Sequence, residues 1–166
     1  MALSRREIIL GGVACFAGGL GSTAHVCAGS PALAALGSSQ LIYLSPVQAN
    51  GEASTCQGEV WYVYHEKEVY VVTQADAWRV RAIERGLTRA KIWIGEFGPW
   101  RRANGKYKSA PYLELEGQLE NNPKVHEELL PHFGTKYVGE WNRWGPRFRK
   151  GLANGSRSLL RYRVAG

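Results

Sequence analysis

Metal-ligand spacing is missing from this chain. Its four histidines and three cysteines are scattered over 166 residues, and no C-x-x-C or H-E-x-x-H pattern occurs, so no metal site is expected. No Ser-His-Asp set, paired carboxylate or P-loop stands out either. Cysteine is scarce: Cys15 and Cys27 lie near the N-terminus and Cys56 stands alone in the body, which excludes an internal disulfide there. A lone cysteine reads as a small buried hydrophobe rather than a nucleophile. No apolar run approaches the roughly 20 residues that span a bilayer. The longest, Ile8 to Leu20, is diluted by Gly11, Gly12, Gly18 and Gly19. There are no internal repeats and no long low-complexity tract.

Near the N-terminus stands Ser4-Arg5-Arg6-Glu7-Ile8-Ile9-Leu10. Two arginines followed by a short apolar run and small residues resemble a twin-arginine signal peptide. Two small-residue cleavage sites follow, Val26-Cys27-Ala28 and Ala32-Leu33-Ala34. The second fits A-x-A better, so residues 1–34 are expected to be the leader and 35–166 the mature domain. Ala24-His25-Val26 before Cys27 is a poor lipobox, which argues against lipidation. The resemblance implies export in the folded state, often with a cofactor already bound, to the periplasm or another extracytoplasmic space. No transmembrane span is expected in the mature chain.

The formal net charge is +7, and the balance stays basic without the leader, which carries only Arg5, Arg6 and Glu7. Such a surplus favours anionic partners: phosphate groups, anionic lipid headgroups or nucleic acid. Export sets nucleic acid aside and leaves a phosphorylated cofactor as the economical reading.

Residues 35–39 read as a flexible lead-in. Leu41 to Leu44 is a strand candidate and Asn50-Gly51 a turn. Glu59 to His65, β-branched and aromatic throughout, reads as one strand. It returns through Glu66-Lys67-Glu68 into Val69 to Thr73, forming a hairpin. Asp76 to Gly86 switches to helical period and closes on glycine. Ala90 to Gly95 is a strand, and Pro99 to Gly105 a basic loop with Arg101, Arg102 and Lys106 beside it. Tyr107 to Leu119 continues as a strand, broken at Pro111. Pro123 opens a helix to about Phe133, residues 139–150 form a second despite Pro146, and Leu159 to Val164 is a closing strand. The expected fold is mainly β (α+β): a six-stranded antiparallel split β-barrel with a few peripheral helices.

Ile42-Tyr43-Leu44, Asn50-Gly51, Val60 to Tyr64, Val69 to Thr73 and Trp78-Arg79-Val80-Arg81-Ala82-Ile83 occur in an order that resembles the pyridoxamine 5′-phosphate oxidase-like split-barrel flavoproteins, whose members bind FMN or F420. The resemblance covers roughly Gln40 to Val164. It implies that Thr73, which ends a strand, and Arg79, on the helix that follows, hold the cofactor phosphate, with Arg81 as the second polar position. Ala77 stands where the family often has serine, and Ala82 where asparagine is frequent. A phosphate at a helix N-terminus also meets unpaired N–H groups, and a guanidinium adds charge-assisted bonds. Arg79 and Arg81 do not share a helical face, and Arg79 is the stronger candidate.

Alternation puts Trp61 and Val63 on one strand face and Tyr62 and Tyr64 on the other. One set faces the barrel interior and the other could lie under a planar ring. Trp141-Asn142-Arg143-Trp144 is a candidate wall of the ring pocket, in the chain or its partner, because the resemblance implies a homodimer. The cofactor-binding candidates are therefore Trp61, Thr73, Arg79, Arg81 and Trp141. No catalytic residue is assigned, although His65 and Tyr64 are conceivable proton donors. The reading is an exported FMN-dependent oxidoreductase acting on a small organic substrate, with F420 as the alternative cofactor. Its rivals are a non-catalytic barrel carrying flavin, haem or a lipid, and nucleic-acid binding through the interleaved Trp141 to Arg149 segment.

Overall fold

The computed structural model describes residues 31–164. The twin-arginine motif, the apolar run behind it and Val26-Cys27-Ala28 lie outside the described residues. Helix α1 (Pro31–Ser38) leads into strand β1 (Ile42–Pro46), the short strands β2 (Gly58–Val60) and β3 (Val63–His65), and β4 (Glu68–Gln74). Helix α2 (Trp78–Glu84) crosses to β5 (Arg89–Ile94). After α3 (Trp100–Ala103) and a 3-10 turn (Lys106–Ser109), β6 (Tyr112–Glu120) precedes α4 (Pro123–Lys136), α5 (Val138–Ala153) and β7 (Arg157–Val164).

All strands join one antiparallel sheet in the order β2-β1-β5-β6-β7-β4-β3. The two edge strands, β2 and β3, are separated in sequence only by Trp61 and Tyr62. Seven strands laid flat would hold their edges about 29 Å apart at the usual spacing, whereas the link from Val60 to Val63 reaches at most about 11 Å. The sheet must curl until its margins meet. The barrel has seven strands rather than six because the single strand expected over Glu59 to His65 is two. Val60 pairs with Ile42 of β1, while Val63 pairs with Tyr70 of β4.

Alternation then sorts side chains into layers. Ile42, Leu44, Val69, Val71, Ile92, Ile94, Leu113, Leu115, Leu160 and Tyr162 form the interior cluster, joined by Tyr62 and by Val80 of α2. The opposite faces of β3, β4 and β7 supply Val63, Tyr70, Val72 and Leu159 to a second cluster under α4 and α5. Tyr43 and Trp93, on the outer faces of β1 and β5, pack on Ala103 and Tyr107 as a third. The basic loop expected after Pro99 is thus a helix and a 3-10 turn seated on that third cluster.

Residues 35–38 of the lead-in expected over residues 35–39 are the second half of α1. Leu36 is buried in the interior cluster, and Tyr62 Oη lies 2.8 Å from its carbonyl oxygen and 2.9 Å from that of Ser39. An Ala-Leu-Ala-Ala-Leu run has high helix propensity, and burial of Leu36 and Ala32 fixes it. Ala32-Leu33-Ala34, the expected cleavage site, lies inside this helix.

The hairpin between β3 and β4 turns through Glu66 and Lys67, both at positive φ, 49° and 64°, as a two-residue hairpin turn requires. Glu68 then ties β4 to β7: it accepts from Arg161 Nε at 2.6 Å, Arg163 Nε at 2.5 Å and Tyr70 Oη at 2.8 Å.

Candidate functional site

Strand β4 presents Val69, Val71 and Thr73 to the barrel interior, and the strand ends one residue beyond Thr73. The chain turns through Ala75 to Ala77 and enters α2, which carries Arg79 back over the strand end. Arg79 Nη1 donates to Thr73 Oγ1 at 3.0 Å. Thr73 is buried and Arg79 partly so. A Cβ on Gly58 would lie 3.0 Å from Arg79 Nη2. Glycine at that position lets the guanidinium reach from β4 to the β2 margin. The fork therefore sits where the two ends of the curled sheet approach each other.

Burial pushes the Arg79 guanidinium below the usual arginine range, with Tyr162, Cys56 and Glu59 exerting weaker opposing effects. Among the described residues the Arg79 side chain makes no ion pair, and the bond to Thr73 is its one hydrogen bond. A guanidinium carries five N–H donors, so most of its capacity is unspent. Glu59, the nearest carboxylate to influence it, accepts instead from Trp100 N at 3.0 Å. Next to Arg79 in sequence, the indole Nε1 of Trp78 is buried without a partner. Unspent donors in a desolvated place suit an acceptor-rich anion, because the cost of burying them is recovered only when they bond. The residues present fit a phosphate group.

The helix contributes less than expected. α2 has seven residues, and its N-cap, Ala77, makes no side-chain cap bond. About two turns give a weak dipole, so the anion chemistry here belongs to the guanidinium.

Of the candidate residues, the fold brings Thr73 and Arg79 together and keeps the others apart. Arg81 is exposed, as its two-residue offset from Arg79 requires. Trp61 packs on the second cluster, with its ring stacked on Tyr137 at 4.1 Å and 3°. Trp141 fills the seam between α4 and α5, where a Cβ on Gly134 or Gly145 would come within 2.8 or 2.7 Å of its indole. Both tryptophans are partly buried and pack against the helical layer. His65 lies 3.7 Å from Glu128 and stacks near His132, ring centroids 4.3 Å apart. Cys56 is exposed rather than buried. Sequence reasoning passed over Gly58. Only the small residue just before the Glu59 strand hinted at a close approach.

Two hollows open on the surface, one beside this end of β4 and one at its opposite end. A cleft of about 750 Å³ opens between the start of α4, the end of α5 and the β4–β7 end. Its lining includes Ala75, His126, Arg149, Arg157 and Ser158, and Ser158 pairs with Thr73 across the strands. A shallower groove of about 360 Å³ follows the β3–β4 turn. Neither is lined by Arg79 itself.

No protein-family model matches the chain, and no curated protein matches it. Solved structures do. A general stress protein 26-related protein of the pyridoxinephosphate oxidase family from Clostridium acetobutylicum is 11% identical, with 80% of each chain covered and a TM-score of 0.52. The haem storage protein HutZ from Vibrio cholerae is 13% identical over 81% of this chain and 87% of its own, with a TM-score of 0.55. ChuZ from Campylobacter jejuni is 14% identical over 80% of this chain, with a TM-score of 0.57, and the chain spans 50% of its length. The chain shares their split-barrel fold. At these identities the split barrel fixes architecture, and function has to come from the site. The split barrel explains why Thr73 and Arg79 meet: a strand end, a tight turn and a short crossover helix lie at the closure of the sheet. Among the described residues no group of three or more metal-ligating side chains could hold an ion, and no helix is long and apolar enough to cross a membrane.

Proposed function

We propose that this chain is an exported split-barrel protein that binds a phosphate-bearing redox cofactor, FMN ahead of the deazaflavin F420, and uses it as a homodimer on a small organic substrate. The observation that carries this reading is the partly buried Arg79 fork, bonded to Thr73 at 3.0 Å with no carboxylate partner among the described residues. In this reading Arg79 donates paired, charge-assisted bonds to the phosphate. Thr73 holds the side chain at its inward setting, and Gly58 leaves it room. The cofactor supplies the electron transfer when bound. Trp61 and Trp141, packed in the helical layer, remain the candidate ring contacts of this reading.

The experiment is a titration of the purified protein with FMN, followed by flavin fluorescence. Replacing Arg79 with alanine should weaken binding about 10- to 150-fold, the equivalent of a lost hydrogen bond to a charged group. Equal affinity in both proteins would overturn the assignment.

A second reading, a carrier without turnover, draws on the likeness to HutZ, which is named as a haem storage protein. Retention of a cofactor with no oxidation of its reduced form by any acceptor would favour it.

A further inference from the structure

Helix α5 carries a basic stripe that the proposed cofactor site does not use. Arg143, Arg147 and Lys150 follow one another at i, i+4 and i+7, so they lie along one face. All three are exposed. Arg157, at the start of β7, joins them from below. The guanidinium carbons of Arg143, Arg147 and Arg157 lie 5.4, 5.1 and 5.9 Å from the ring centroid of Trp144. Three cations thus converge on one indole.

Among the described residues none of the four forms an ion pair. Of the nearby acids, Glu127 pairs with Arg149 at 3.3 Å and Glu120 lies 3.5 Å from Arg161. Glu140, one turn before Arg143 on α5, is exposed and forms no ion pair among the described residues, leaving the stripe a net surplus of positive charge. Burial and then the Arg147 charge push Arg157 below the usual arginine range. Like charges one turn apart destabilise a helix, so an anionic partner would relieve repulsion that α5 now carries.

We infer that this face of α5 docks the protein on an anionic lipid surface, with Arg143, Arg147, Lys150 and Arg157 contacting headgroup phosphates. The aromatic residues beside the charges argue against a nucleic-acid strand. Phe148 is buried, Trp141 fills the α4–α5 seam, and Trp144 is flanked by guanidiniums and by the edge of Trp61 at 6.2 Å. The face offers charge, whereas strand binders stack bases on open rings. Juxtaposed basic residues each add attraction to an anionic leaflet, and it fades within a Debye length.

Vesicle flotation tests this with phosphatidylcholine vesicles, with and without phosphatidylglycerol, at low and physiological salt. The protein should float only with the anionic vesicles, and less so as salt rises. R143Q/R147Q should weaken binding by about fivefold per arginine. R101Q/R102Q removes the same charge from exposed positions off this face and should leave binding nearly unchanged. Far-UV circular dichroism and a thermal midpoint check folding, and if the double variant fails to fold, Arg143→Gln alone carries the comparison. No flotation with anionic vesicles, equal loss in the two double variants, or tighter binding to a single-stranded oligonucleotide would each overturn the inference.

Discussion

The hydroxyl of Tyr137 fastens the link that closes the barrel: it accepts the backbone N–H of Tyr62 at 2.8 Å and lies 2.9 Å from the carbonyl oxygen of Gln40. Tyr62 in turn bonds to the end of α1. One side chain from the junction of α4 and α5 therefore anchors the corner between β2 and β3 as well as the entry to β1. Removing that oxygen with Tyr137→Phe keeps the stack on Trp61 but leaves a buried N–H without its acceptor. The cost should be about 1–3 kcal/mol, read from the midpoint of urea unfolding. An unchanged midpoint would show that water replaces the bond.

Arg79→Met separates a binding role from a structural one. An unpaired, partly buried charge lowers the stability of a protein without ligand, and an apolar stem of similar length is neutral or better. The variant should unfold at the same denaturant concentration as the parent or a higher one, while losing FMN affinity. A loss above about 2 kcal/mol, typical of a broken buried network, would make Arg79 a structural residue.

Glu68 predicts an acid-sensitive step. Burial alone would raise its pKa, but the bonds from Arg161, Tyr70 and Arg163 outweigh burial and bring it down to about 2. The folded state therefore holds the ionised form more strongly than the unfolded chain does. That contribution is complete above the ordinary value of 4.5 and is lost as pH falls from there through about 2. Unfolding curves of the parent should weaken across this window, and those of Glu68→Gln should weaken less. Parallel slopes would assign the acid sensitivity to other groups.

The proposed export carries its own expectation. Cutting after residue 34 would split α1 and remove Ala32, which is buried in the interior cluster. The mature protein should therefore begin at or before Pro31, with cleavage in the Val26-Cys27-Ala28 region. The intact mass of protein recovered from the exported fraction decides this. A chain starting at residue 35 should also melt below one starting at residue 31, since it lacks half of a packed helix.

The strand and helix order was legible because its signals are local: the β-branched run of Val69 to Val72, the closing Gly86, and Pro123 at a first turn. The division at Trp61-Tyr62 was not legible. Nothing in Val60-Trp61-Tyr62-Val63 breaks strand character, and the corner is imposed by long-range pairing to β1 on one side and β4 on the other. Helix α1 was hidden for another reason, since small residues serve a cleavage site and a helix equally well. At the site, the six-residue spacing of Thr73 and Arg79 was readable as a strand end followed by a helix. That the guanidinium turns inward toward Gly58 depends on the curl of the whole sheet, which no local pattern encodes.

The closure at Trp61 and Tyr62 has a consequence for how this chain keeps company with copies of itself. A sheet normally exposes two margins of unpaired amides and carbonyls, each able to recruit another strand into a growing fibril. Here each margin is a strand of three residues, and both are drawn to the same corner. That leaves only a stub of template, which should spare a β-rich chain from edge-to-edge polymerisation at high concentration.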